Sequence, residues 1–272
     1  MFEAEKEDSS KREADAMKRV PAKGVKRFVD YKERDAAKVK QMFSDIATRY
    51  DLLNHILSLG FDITWRKRVA LETGRCGSIP RRINCQRILD VCTGTGDTAI
   101  ELCRFWQGKA YIEAIDFSRE LIEIGMEKIR KAGLSDKISF KEADAERLPY
   151  KDAHFDAVTV VFGLRNINNR VSALKEFHRV TKPGGCFICL EFSHPKNPIF
   201  NKLYSFYLIK IVPLVSLVFG SDPYAYRYLG STVRDFPPPP ELVSIIESAG
   251  WKNVTHYTLA GGIVAIHRGS KT

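Results

Sequence analysis

The sequence predicts a doubly wound, mostly parallel α/β sheet, and three observations carry that expectation. Residues 88–97 (Ile-Leu-Asp-Val-Cys-Thr-Gly-Thr-Gly-Asp) read as an apolar strand entering a glycine turn, with a helix over Thr98–Phe105 behind it. Two further strand-like segments, Lys109–Asp116 and Ile138–Ala145, bring Asp116 and Asp144 to strand ends. The run Phe155–Phe162 is almost continuously apolar, as expected of a strand buried on both faces. Strands alternating with helices at this spacing build a parallel sheet whose ligands lie outside the carboxyl ends of the strands.

The first turn narrows the ligand class. Gly94 and Gly96 supply a sharp bend that lets a ligand approach the backbone, and the next helix aims free N–H groups at it. No third glycine completes a dinucleotide fingerprint, and Gly-Lys-Ser/Thr is absent. Asp90 closes the strand and Asp97 closes the turn, which suits a cationic cofactor without phosphate, S-adenosylmethionine. Asp116 is placed to receive ribose hydroxyls. Asp144 and the backbone of Ala145 can grip an adenine edge. The plainer reading, an ordinary strand–helix turn, leaves three successive acidic strand ends unexplained.

Composition sets the outer limits. The 272 residues are 44% hydrophobic and 28% charged, an ordinary globular balance for one large domain with embellishments, and the net charge is +10. The six cysteines (Cys76, Cys85, Cys92, Cys103, Cys186, Cys189) do not make a disulfide framework in a chain of this length, and all are expected to be structural and reduced. Cys186 and Cys189 form a CxxC within a strand-like segment, where residues three apart face opposite sides, so no shared metal is expected. Residues 1–40 are charged without a central apolar stretch, which points to a cytoplasmic chain rather than a secreted one. Residues 65–87 hold seven Arg or Lys against one acid, Glu72; such a cluster fits a nucleic acid, anionic headgroups or plain solvation.

Along the chain, residues 1–38 read as a charged, mostly disordered extension. Residues 39–85 form a helical cap: Val39, Met42, Phe43, Ile46 and Tyr50 recur at helical spacing, Asp62–Leu71 forms another helix, and Gly74–Cys85 is a connection. The cofactor-binding core spans 86–192, with helices over Glu120–Ala132 and Val171–Val180, the latter ended by Lys182-Pro-Gly-Gly185 before a strand over Cys186–Phe192. Residues 193–236 interrupt the alternation with Leu203–Phe219, 17 largely apolar residues broken by Lys210 and Pro213. That is short of the roughly 20 a spanning helix needs. It reads either as a buried helix or as a greasy lid that accepts an apolar substrate or touches a bilayer. In 237–269, a helix over Glu241–Ala249 precedes a hairpin of Val254–Leu259 and Ile263–His267 through Gly261-Gly262.

Specific blocks carry a family resemblance. They are Met42-Phe-Ser-Asp-Ile-Ala-Thr-Arg-Tyr-Asp-Leu-Leu-Asn54, Leu57-Ser-Leu-Gly60 with Trp65-Arg66, Asp90–Asp97, Phe162-Gly-Leu-Arg-Asn166, Arg179-Val-Thr-Lys-Pro-Gly-Gly185, Leu190-Glu-Phe-Ser193, Tyr226-Arg-Tyr-Leu229 and His267-Arg-Gly269. Over about Val39–Gly269 the chain resembles the ubiquinone/menaquinone biosynthesis C-methyltransferases. The resemblance implies a seven-stranded Rossmann-like class-I fold with a C-terminal antiparallel hairpin. It also implies S-adenosylmethionine as co-substrate, no metal, and a polyprenylated demethylquinol as acceptor, demethylmenaquinol first and the ubiquinol precursor second. Thr95, Asp116, Asp144 and Ala145 would then be cofactor contacts, with Asp90, Gly94 and Gly96 shaping the same site. Where some relatives carry a serine before Phe-Gly, this chain has Val161.

Methylating an aromatic carbon needs an electron-rich ring, so the site must help a phenolate form and then hold it. Arg165, at the tip of the buried strand, is the expected stabilising charge; it stays protonated and is not itself the base. A water held by Arg165 or the side chain of His194 would take the proton, and Asn166 and Tyr50 would orient the ring. Peripheral association with the inner face of the membrane is expected of an enzyme with such a substrate, and a homodimer is compatible. Two rivals remain: an RNA methyltransferase docking through residues 65–87, which leaves the apolar 203–219 stretch without a role, and a non-catalytic S-adenosylmethionine-binding subunit of a quinone-synthesis complex.

Overall fold

The computed structural model describes residues 50–75, 86–218 and 223–272. Seven strands form one sheet: β1 (Gln86–Val91), β2 (Ala110–Asp116), β3 (Ile138–Glu142), β4 (Phe155–Val161), β5 (Thr181–Phe192), β6 (Lys252–Leu259) and β7 (Val264–Ser270), in the order β3-β2-β1-β4-β5-β7-β6. The first five pair in parallel, while β7 inserts antiparallel between β5 and β6. The chain winds outward from β1 to β3 and returns to β4, so the topological switch lies between β1 and β4, where open α/β sheets hold their ligands.

Strand alternation sorts the core into two layers. Ile88, Ile112, Ala157 and Ile188 face the layer of helices α2 (Phe61–Thr73) and α3 (Asp97–Phe105). Leu89, Ile115, Val158 and Phe187 face the layer of α5 (Arg170–Val180) and α9 (Pro239–Ser248), around the fully buried Trp251. Helix α4 (Arg119–Lys131) starts at Ser118, whose hydroxyl accepts from Leu121 N and whose own N–H donates to Asp116. Helix α1 (Tyr50–Leu57) precedes α2, and Gly60, with φ +76, makes the bend between them. Most of the helix expected over 39–54 lies outside the described residues.

Three expectations need correction. Lys182-Pro-Gly-Gly185 does not separate α5 from the next strand, because β5 begins at Thr181. Thr181 pairs with Phe155 and Cys186 with Ala157, so the four residues bulge out of the ladder, and Gly184 takes φ +77 there. Residues 193–236 are not one continuous α-helix. They form α6 (Pro198–Phe206), a π-turn (Tyr207–Ile211), α7 (Val212–Val218) and α8 (Pro223–Arg234). Pro213 is the second residue of α7, which follows the π-turn without a break, Val212 keeping helical backbone. Lastly, Cys186 is disulfide-bonded, whereas Cys92, Cys103 and Cys189 are free thiols. Cys186 and Cys189 do fall on opposite faces of the sheet, one in each core layer.

Candidate active site

Two cavities open over the carboxyl ends of the strands, and Cys92 borders both. Cys92 follows β1 and Phe162 follows β4; both hold left-handed backbone, φ +55 and +57. Such conformations in non-glycine residues cost free energy and persist where surrounding structure enforces them. Their neighbour must be glycine, since a Cβ on Gly163 would lie 2.3 Å from Cys92 Cβ. The switch point is thus built from two strained residues packed against a residue without a side chain.

The first cavity, about 430 Å³, lies over β2 and β3 and is lined by Asp116, Phe117, Glu142, Asp144, Ala145 and Asn166 among others. Asp116 Oδ2 accepts from Gly94 N at 2.8 Å, and Oδ1 accepts from Ser118 N at 3.0 Å. The carboxylate therefore ties the glycine turn to the start of α4 while bordering the cavity. Asp144 Oδ1 accepts from Glu146 N at 2.9 Å, which sets the loop after β3. Asp116, Asp144 and Ala145 meet in one place, as the sequence suggested.

The second cavity, about 390 Å³, is largely apolar and lies over β1, β4 and β5 beneath α1, α2 and α6. Leu57, Phe61, Trp65, Phe162, Phe192, Leu203, Tyr207 and Ile263 border it, with Gly94, Thr95 and Asp97 at the cofactor turn. Arg165 enters this wall from a 3₁₀ turn, Leu164–Asn166. Its Nη1 lies 2.7 Å from Glu191 Oε1 and also donates to the Phe162 carbonyl, and its guanidinium sits 5.2 Å from the Phe192 ring centre. Glu191 Oε2 accepts from Arg165 N at 3.1 Å. Burial raises the Glu191 carboxyl above the ordinary value, and Arg165 opposes that rise.

On the α2 side, Asp62 accepts from Ser58 Oγ at 2.7 Å and from Arg66 Nη1, and His55 Nδ1 lies 2.7 Å from its Oδ2. Burial would raise this carboxyl, but His55, Ser58 and Arg66 together hold it below the ordinary value. At the turn, Lys128 Nζ reaches Asp51 at 2.6 Å, Asp97 at 2.5 Å and Thr95 Oγ1 at 3.1 Å. Thr95 Oγ1 in turn donates to Asp51 at 2.5 Å. This network fastens α1 to the glycine turn.

Other expected residues sit elsewhere. Asp90 borders neither cavity; it is buried under the turn, accepting from Thr93 Oγ1 at 2.6 Å and Thr159 Oγ1 at 2.7 Å. Desolvation pushes its carboxyl up to about 6. Gly96 also lies off both walls and packs on Phe140. His194 does not border the cavity; its Nε2 lies 3.2 Å from the Phe236 carbonyl. Asn166 borders the first cavity and accepts from Tyr228 Oη at 3.4 Å. Tyr50 begins α1, and its side chain lies outside the described residues.

Sequence reasoning missed Glu191, Asp62, Arg66 and Lys128. Asp62 and Arg66 stand at i and i+4 in a helix, a spacing that pairs them on one face. Glu191 was visible as an acid inside an apolar strand and within the Leu190-Glu-Phe-Ser193 block, with no role attached.

A protein of Geotalea uraniireducens called ubiquinone/menaquinone biosynthesis C-methyltransferase UbiE is 40% identical over 234 residues, covering 86% of this chain and 96% of its own. A protein of the same name from Photorhabdus laumondii is 38% identical over 240 residues, covering 88% and 93%. Among solved structures, a SAM-dependent methyltransferase of Aquifex aeolicus superposes with a TM-score of 0.51 at 18% identity, covering 86% of this chain and 97% of its own, a likeness of fold. Residues 31–271 match the ubiE/COQ5 methyltransferase family, beginning ahead of residue 39, and the chain belongs to that family.

Proposed function

We propose that this chain methylates a ring carbon of a polyprenylated demethylquinol in respiratory quinone biosynthesis, with S-adenosylmethionine as methyl donor and demethylmenaquinol as the preferred acceptor. The observation that carries the reading is the pair of cavities meeting at Cys92, one bordered by strand-end carboxylates and the other apolar with a buried Arg–Glu pair. The donor fits the first: Asp116 suits ribose hydroxyls, and Asp144 and Ala145 an adenine edge, while Gly94 borders the second cavity. Bound there, it supplies an electrophilic methyl group.

The chain's own residues do the rest. Trp65, Phe162, Phe192 and Tyr207 exclude water from the acceptor ring, which strengthens every charge interaction inside. Arg165 stabilises the phenolate that makes the ring carbon nucleophilic, and a water beside it carries the proton away. Phe200 and Leu203 border the cavity and are exposed, giving a prenyl chain an apolar exit.

The same rim supports peripheral membrane association. Leu59, Ile199 and Leu203 are 80%, 73% and 62% exposed, and Lys196, Lys202 and Lys210 stand among these apolar residues. Among the described residues no helix is long and apolar enough to cross a membrane. The test is incubation with methyl-labelled S-adenosylmethionine, demethylmenaquinol or the demethylated benzoquinol, and total RNA. Label is expected in the organic phase, with the naphthoquinol ahead; label in RNA, or none in either quinol, overturns the reading.

A further inference from the structure

Several polar side chains on the wall of the apolar cavity are already engaged within the protein. The Ser58 hydroxyl donates to Asp62 at 2.7 Å, that of Tyr207 to the Leu57 carbonyl at 2.8 Å, and that of Thr95 to Asp51 at 2.5 Å. Asn54 differs. It borders the same cavity from α1 and is half-buried, yet among the described residues no hydrogen bond engages its amide. Neither amide atom is sealed from water. An amide in an apolar wall forgoes hydrogen bonds that a ligand can supply.

Helix geometry fixes where that amide reaches. Residues three apart share a helix face, so Asn54 lies on the face that carries Asp51 one turn before it and Leu57 one turn after. Asp51 is fastened to the cofactor turn by Thr95 and by Lys128 Nζ at 2.6 Å. Leu57 borders the cavity, and its carbonyl holds Tyr207. Helical side chains lean toward the N-terminus, which for Asn54 is toward Asp51 and the cofactor turn. The amide therefore stands at the cofactor end of the apolar cavity. Arg165 reaches the same cavity from a different element, the turn after β4.

We infer that Asn54 binds an oxygen of the acceptor ring, as a second polar anchor beside Arg165, and that Asp51 and Lys128 are positioning residues that hold it at the cofactor turn. This rests on the proposed quinol acceptor and adds how the ring is held. The amide suits both states of that oxygen: its carbonyl accepts from a hydroxyl, and its NH2 donates to a phenolate. The bond to the phenolate is the stronger, because hydrogen bonds to charged groups are worth more. Asn54 thus favours the reactive form of the ring over the resting one, and interactions of that kind raise turnover rather than binding alone.

Asn54→Leu nearly keeps the size of the side chain and removes the amide. Anaerobic calorimetry on the full chain, with a short-chain demethylnaphthoquinol and S-adenosylhomocysteine present, reads acceptor binding without chemistry. In Asn54→Leu that affinity should fall about 3- to 10-fold, the range of a neutral hydrogen bond, while kcat/KM falls roughly 10- to 100-fold, the range of a charged one. Melting temperature and S-adenosylmethionine affinity should match wild type, which separates recognition from a merely structural role. Lys128→Met tests the positioning residues. At saturating S-adenosylmethionine it should lower kcat/KM in the wild-type background but add little to Asn54→Leu, because changes acting through one contact are not additive. An unchanged kcat/KM in Asn54→Leu would overturn the contact, and losses that fully add in the double variant would overturn its positioning by Lys128. A wild-type protein that neither binds nor methylates the quinol, yet labels RNA, would instead remove the quinol reading beneath it.

Discussion

Glu191 Oε1 lies 2.7 Å from Arg165 Nη1, and both side chains are buried at the tips of β5 and β4. A buried pair contributes little net stability, but removing one partner strands a charge in low dielectric, at about 3–5 kcal/mol. Arg165→Met should therefore do more than cut turnover on the order of 10²-fold, the usual loss when a charge-stabilising donor is removed. It should also lower the unfolding free energy by that amount. Adding Glu191→Leu should restore most of the stability and none of the activity. Thermal unfolding and single-turnover assays on the two variants check this; a stable, inactive single variant would show that the guanidinium is not needed to neutralise Glu191.

Asp116 joins the cofactor cavity to its supporting turn through Gly94 N and Ser118 N. Hydrogen bonds to charged groups are worth about 1.5–3 kcal/mol each. Asp116→Ala should weaken S-adenosylmethionine binding by roughly 10- to 100-fold in calorimetry. Asp116→Asn keeps one acceptor and should lose less. Wild-type affinity in Asp116→Ala would remove the carboxylate from the cofactor site.

The sheet, the strand-end acids and the glycine turn were legible because each is written in a contiguous segment with its own period. The polar pairings around the apolar cavity were not. Arg165 finds Glu191 26 positions away, and Lys128 finds Asp51 77 positions away, through pairings that only the assembled fold creates. Asp90 illustrates the opposite error: an acid beside a glycine turn looks like a ligand contact, yet Thr159 from the adjacent strand claims one oxygen and Thr93 the other. His194 fails for a similar reason, its position after β5 fixing proximity in sequence but not direction.

Two buried groups titrate against each other. Asp90 rises from an ordinary 3.8 to about 6, because burial disfavours its charge, whereas burial lowers His267 from 6.5 to about 4. Between pH 4 and 6 the folded state binds the Asp90 proton more tightly than the unfolded state, so that contribution to stability is lost as pH rises. The unfolded state binds the His267 proton more tightly between pH 4 and 6.5, so that contribution is gained as pH rises. Each amounts to about 3 kcal/mol, a tenfold change in proton affinity being worth about 1.4 kcal/mol. In wild type the two should largely cancel. Asp90→Asn should therefore make stability climb with pH relative to wild type across this window, and His267→Gln should make it fall. Chemical denaturation at intervals from pH 4 to 7 reads both slopes, and parallel curves for wild type and either variant would refute that group's part.

Phe140 on β3 fills the space left by two glycines, one on the cofactor turn and one on α4. A Cβ on Gly96 would lie 2.6 Å from its ring, and a Cβ on Gly125 would lie 2.5 Å from the same atom. The two differ in backbone: Gly96 has φ +83, which a side chain rarely adopts, while Gly125 is helical. Gly125→Ala should thus be destabilising only through clashes, chiefly with the Phe140 ring and more mildly, at 3.2 Å, with the Thr95 carbonyl carbon. Pairing it with Phe140→Leu should recover most of the loss, helped by the roughly 1 kcal/mol that alanine gains over glycine inside a helix. Gly96→Ala should remain destabilised by about 1–3 kcal/mol even beside Phe140→Leu, because left-handed strain persists when the ring is gone. It should also weaken S-adenosylmethionine binding, which Gly125→Ala with Phe140→Leu should largely spare. Denaturation midpoints and calorimetry on the two double variants decide it; equal rescue of both glycines would mean that Gly96 is required for space alone and not for its backbone.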